Sequence, residues 1–241
     1  MTKRTWHVSL AALMFLGGVG VASAVVSPIP AGASGPTIST YISNLNAPRG
    51  LAFDGQGSLY VSESGLAGEG TDGLTRTGRV SKYAEGSTHA RWSTSFESLF
   101  VTNAPGQPPD VLGPEGISAL GNNCSRKRHG HESEREREGG CQIRMIMSES
   151  HDGVFALSGA ETTQIGHLFR INGATGAATS VSDVGDQMYK WTSDNAGLFP
   201  DDFPDSNPYG VLVTKDDHSD HVRTFVADAG ANTIIEIMAG G

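Results

Sequence analysis

The chain has 241 residues, a formal net charge of −9, 32 glycines and only 18% charged residues. An acidic chain of this kind argues against general nucleic-acid or anionic-membrane binding, and glycine well above the ~7% average argues against a helical bundle. Turn-rich β structure remains, long enough for one large all-β domain.

Residues 1–24 read as a secretory signal peptide. Lys3 and Arg4 precede an apolar run over 8–21 that is too short to span a bilayer comfortably, and Ala22-Ser23-Ala24 is a small-residue cleavage site. A second small-residue stretch offers an alternative end at residue 34, and 25–36 reads as linker. No later apolar run approaches spanning length, so the expected protein is secreted or extracytoplasmic, with no membrane association after cleavage.

Residues 37–45 alternate polar and apolar side chains and predict a strand ahead of the first repeat. Three copies of one unit then follow within an expected β-domain over 37–241: Pro-x-Gly, a short strand, a polar turn, a second strand, and a third strand beyond it. The copies start at Pro48, Pro114 and Pro208. Strand triplets that recur in this way indicate a radial architecture, in which no unit buries both faces by itself. The expected fold is therefore all-β, a partial β-propeller of about three four-stranded antiparallel blades, at 47–102, 113–184 and 207–238, the last without room for an outer strand.

In blade one the predicted strands are 51–53, 59–62 and 79–83, with Asp54-Gly55-Gln56-Gly57 as the hairpin turn, residues 65–78 as a surface loop and an outer strand within 91–102. In blade two they are 142–148, 167–172 and 178–184 after the first strand. In blade three they are 210–213, 224–227 and 233–237. One short helix is expected at 187–194, capped by Asp186.

Residues 125–140 interrupt blade two with a run that holds no apolar residue, an insertion at a hairpin tip. Cys124 and Cys141 bracket it, and in an oxidising compartment they are a candidate disulfide worth roughly 3 kcal/mol on the loop-entropy argument. His129 and His131 lie between them at a spacing that fits no common zinc pattern.

Pro-x-Gly, Asp-Gly-x-Gly-x-Leu-Tyr-Val-x-Glu and a strand of the Arg-Val-x-Lys type resemble the NHL-like units of β-propellers. More narrowly, the stretches 46–53, 205–210 and 226–233 look like the ScyD/ScyE family, exported propeller proteins named for a gene cluster of cyanobacterial scytonemin biosynthesis. The Ser-Asn-Pro-Tyr-Gly sequence at 206–210 is the most specific part. The resemblance implies an exported, non-enzymatic scaffold or binding module for a protein or small-molecule ligand, with no catalytic residues to transfer. It also implies further blades beyond residue 241, since members of that family run longer, and the 125–140 insertion has no counterpart in it. Blade faces left open at both ends of a three-blade arc would favour self-association.

Internal repeats separate fold from function: a residue that recurs serves the fold, while one that varies at an equivalent position is free to meet a ligand. Glu63, Glu149 and Asp228 recur at the close of the second strands and are expected to accept backbone hydrogen bonds. The residue inside Pro-x-Gly varies, being Arg49, Glu115 and Tyr209, and these three form the expected ligand-facing ring. No Gly-x-Ser-x-Gly, His-Glu-x-x-His or phosphate-loop pattern occurs, and the expected cofactor set is empty. The alternative is a metal-dependent propeller hydrolase or lactonase. Some six-bladed lactonases hold a divalent metal with Glu, Asn and Asp, and Glu115, Asn207 and Asp228 are of those types, suited to a hard cation such as calcium.

Overall fold

The structure, a computed structural model, describes residues 37–66, 73–101, 110–121, 141–199, 204–216 and 221–238. The expected signal peptide and linker, the insertion at 125–140 and Cys124 lie outside the described residues.

Three antiparallel sheets follow one another along the chain. Sheet 1 holds β1 (Pro48–Phe53), β2 (Leu59–Glu63), β3 (Leu74–Tyr83), β4 (Ala90–Val101) and β5 (Asp110–Leu112). Sheet 2 holds β6 (Pro114–Leu120), β7 (Gln142–Met147), β8 (His167–Ile171) and β9 (Ala178–Asp183). Sheet 3 holds β10 (Pro208–Lys215), β11 (Val222–Asp228) and β12 (Thr233–Ile237). The sheets thus have five, four and three strands, where four per blade were expected of the complete units. The extra strand is β5, which pairs Leu112 with Leu99 at the end of a segment that reads from sequence as a proline- and glycine-rich connection.

Local chemistry explains the hairpins. Between β1 and β2, Asp54 Oδ1 accepts hydrogen bonds from the Gln56 and Ser58 backbone N–H groups, and Gly57 takes φ 75°, a left-handed value open to glycine. Proline begins β1, β6 and β10, a position where its missing N–H costs no ladder bond.

Residues 37–45 do not form the expected strand. Their alternation is used differently: Ile42 and Leu45 pack as irregular chain on Leu59, Val61 and Tyr83 of sheet 1. Tyr60, Val80, Phe96 and Leu99 of sheet 1 share one core with Ile117, Met145, Met147 and Phe169 of sheet 2. A second core joins Ile146 and Leu168 of sheet 2 to Val211, Val226, Ile235 and Ile237 of sheet 3. Each fully buried aliphatic side chain contributes about 1.5–3 kcal/mol, so the two cores bind the sheets into one stack.

Among the described residues, two α-helices and a 3-10 turn (Ala196–Leu198) stand where one short helix was expected. Helix α1 (His151–Ser158) starts at Ser150, whose side chain accepts from Gly153 N–H, and ends at Gly159 in the left-handed conformation. Helix α2 (Val184–Asp194) is capped by Asp183, which accepts from Asp186 N–H, so the expected cap lies three residues too late. Asp186 Oδ1 instead accepts from Asp152 N–H at 2.9 Å and ties the two helices together. Ser150→Ala is expected to cost about 1 kcal/mol, measured as a lower urea midpoint with an unchanged slope.

Candidate functional site

The site lies where β1, β6 and β10 begin. Each first hairpin slips register at the same place: between Pro48 and Gly50, between Pro114 and Ile117, and between Pro208 and Gly210. A bulge leaves one residue out of the ladder and re-aims its side chain. In all three sheets the slip falls at the Pro-x-Gly turn, so Arg49, Glu115 and Tyr209 leave the pleat together.

The structure brings those three residues to one place. Arg49 Nη2 donates to Asp110 Oδ1 at 3.0 Å, Arg49 Nε donates to Ser64 Oγ at 3.2 Å, and the same Nε lies 3.7 Å from Glu115 Oε1. Ser64 Oγ in turn donates to Glu115 Oε1 at 3.2 Å. The Tyr209 side chain, half exposed, interacts with both Arg49 and Glu115. Glu115 is only 3% exposed, and its second oxygen, Oε2, is buried with no hydrogen-bond partner. Burial pushes its carboxyl up to about 7, against the opposing pull of Arg49.

Glu63 and Asp228 play the expected structural part. Glu63 accepts from Asn46 N–H at 2.6 Å and takes Arg79 in a two-pronged pair at 2.6 and 2.8 Å. Asp228 Oδ1 accepts from Asn207 and Ala231 N–H, and Oδ2 from Ser206 Oγ. Glu149 does not belong with them. Strand register pairs Pro48 with Glu63 and Pro208 with Asp228, but Pro114 with Met147. Ser148 Oγ, with Gly113 as its partner, closes that loop instead. One backbone bond recurs in all copies, from Ser64 N–H to Ala47 O, Ser148 N–H to Gly113 O and Ala229 N–H to Asn207 O. Glu149 therefore stands where the other copies have Gly65 and Gly230. The sequence likeness of Ser62-Glu63-Ser64 to Ser148-Glu149-Ser150 is two residues out of register.

That placement leaves Glu149 at φ 61°, a value rare for a residue with a side chain. Burial first, then the negative charges of Asp205, Asp110, Asp228 and Glu115, push its carboxyl up to about 8. Two neutral-range carboxyls thus share a site with one guanidinium. Asn207 adds a second buried acceptor without a donor, Oδ1. Ser64, Asp110, Glu149 and Asp205 are absent from the sequence-derived site; the departure from glycine at 149 is the signal that register, once known, makes visible.

For the metal set of Glu115, Asn207 and Asp228, the fit is partial. Glu115 Oε2 and Asn207 Oδ1 each offer an oxygen without a partner, but the Asp228 carboxylate is occupied by three donors that shape its own turn. Among the described residues, no three His, Cys, Asp or Glu side chains are grouped to hold one ion. Cys141 is disulfide-bonded, while Cys124, the other cysteine of the sequence, lies outside the described residues. Among the described residues no helix is long and apolar enough to cross a membrane. Comparison with known protein families and with curated proteins finds no match to this chain.

Proposed function

We propose that the three sheets are blades of a β-propeller and that the chain is an exported, non-enzymatic binding module of the ScyD/ScyE type, with its ligand seat at Arg49, Glu115 and Tyr209. The observation that carries this reading is the coincidence of three bulges with two buried acceptor oxygens, Glu115 Oε2 and Asn207 Oδ1, that lack donors. A buried acceptor without a donor costs about 1–3 kcal/mol, a penalty that a ligand bearing N–H or O–H groups would remove on binding. The varied chemistry of the ring, a cation, an acid and a phenol, suits recognition of a polar small molecule or an exposed peptide group. It lacks an activated nucleophile such as a Ser–His or Cys–His pair.

The second reading is a hydrolase or lactonase with one divalent cation such as calcium, and the free oxygens of Glu115 and Asn207 are what favour it. Hard cations take six to eight oxygens, and here Asp228 would have to share Oδ2 with Ser206. Titration calorimetry separates the two readings. Under the first, a panel of amino- and hydroxyl-bearing small molecules yields saturable binding without turnover, weakened at least ~10-fold by Tyr209→Ala and by Glu115→Gln. Saturable calcium binding together with lactone hydrolysis, both abolished by Glu115→Gln, would replace that reading by the second.

A further inference from the structure

Among the described residues one sheet-to-sheet junction repeats, and the outer faces of sheets 1 and 3 carry exposed apolar side chains. Register equates Leu51, Ile117 and Val211 on one face of the sheets, and Val80, Leu168 and Ile234 on the other. Val80 lies in the core shared with sheet 2 and Leu168 in the core shared with sheet 3, each 0% exposed, whereas Ile234 is 77% exposed. On the opposite face Ile117 is 6% exposed and Leu51 is 66% exposed. The first strands tell the same story. A Cβ at Gly50 would fall 2.5 Å from Glu115 O, and one at Gly116 would fall 2.6 Å from Tyr209 O, because the next sheet passes there. A Cβ at Gly210 would meet only Ala227 Cβ, at an ordinary 3.5 Å.

The open faces match each other. Sheet 3 shows Gly210, Leu212 and Ile234, with the Arg223–Glu236 pair at 2.7 Å beside them. Sheet 1 shows Leu51 and Phe53, while Ile42 and Leu45 already cover its outer part over Leu59, Val61 and Tyr83. We propose that a second copy of this chain docks the Leu51 face of its sheet 1 on the Gly210 face of sheet 3, head to tail, and that two copies close into one ring of six sheets. The junction formed would be a third example of the contact that already joins β1 to β6 and β6 to β10. Glycine at 210 keeps the backbone approach open there, as Gly50 and Gly116 do within the chain. A head-to-tail contact closes or propagates according to its rotation, and six sheets fall within the roughly four to eight of closed propellers. This inference rests on the junction geometry and stands apart from the ligand seat.

Sedimentation and light scattering of the full chain over a wide concentration range test it. The expected result is a two-copy mass that dissociates on dilution. Gly210→Val and Leu51→Asp each weaken the association at least ~10-fold, and Gly210→Val leaves the melting temperature of the dilute monomer unchanged. Gly116→Val, by contrast, lowers that temperature at every concentration. Should Gly210→Val disturb the monomer, Leu212→Lys on the same face reads the contact instead. A monomer at all concentrations, assemblies that grow beyond two copies, or a dimer that survives substitution on both faces would each overturn the proposal.

Discussion

Replacement of Glu63 by alanine is expected to lower stability by about 3 kcal/mol, the low end of the cost of breaking a buried ion pair. For a domain of this size that is a fall in melting temperature of roughly 6–12 °C. Glu63 is fully buried, and its two oxygens hold three donors: Nε and Nη2 of Arg79 and the Asn46 N–H. Removing the carboxylate leaves a half-buried guanidinium and a backbone donor with no acceptor. It also frees residues 44–47, where Asn44 and Ala47 adopt positive φ and Arg79 Nη2 donates to Asn44 O. Because Ile42 lies just before that turn and Leu45 within it, their packing on sheet 1 should loosen too. The paired variant Arg79→Met with Glu63→Met should recover part of the loss, since apolar side chains of similar volume need no donors. A Glu63→Ala protein that melts within about 2 °C of the parent, less than ~1 kcal/mol, would show that the pair contributes little.

Much of the architecture can be read from side chains that act locally. Asp54-Gly55-Gln56-Gly57 specifies its own turn through an Asp side chain and a left-handed glycine, and proline marks the start of each first strand. Features set by partners distant in sequence are harder to read. Helix α1 carries Gly153 in its first turn, which masks a helix that Ser150 and Gly159 cap at its two ends. The alternation at 37–45 looks like a strand because coil and strand can both present Ile42 and Leu45 to an apolar surface. At the site, the variable residues Arg49, Glu115 and Tyr209 were legible as a set because the repeats fix their positions. Glu149 was not, since a Ser-Glu-Ser match in the letters hid a two-residue offset that only hydrogen-bond register exposes.

Substitution of Glu149 by glycine should stabilise the protein, most strongly above pH 8. Two independent costs disappear. A side-chain-bearing residue in the left-handed region costs about 1–2 kcal/mol, and Gly65, at φ 107°, occupies the equivalent position of the first copy. The second cost is electrostatic. With its carboxyl raised from an ordinary 4.5 to about 8, the folded protein keeps a proton that the unfolded chain releases. The associated stability is fully present below pH 4.5 and is lost as pH rises through 8. Glu115, raised to about 7, adds a slope of the same sign. Thermal melts from pH 4 to 9 should therefore show the parent losing stability toward the alkaline side. Glu149→Gln should match the parent near pH 4 and exceed it above pH 8. Glu149→Gly should exceed it throughout, by about 2–8 °C at the acid end and by more at the alkaline end. Parallel curves for parent and Glu149→Gln would mean that the Glu149 carboxyl is ionised and solvated after all. If both variants are more stable yet bind ligand less well, the strain and the buried acid at 149 serve recognition rather than the fold.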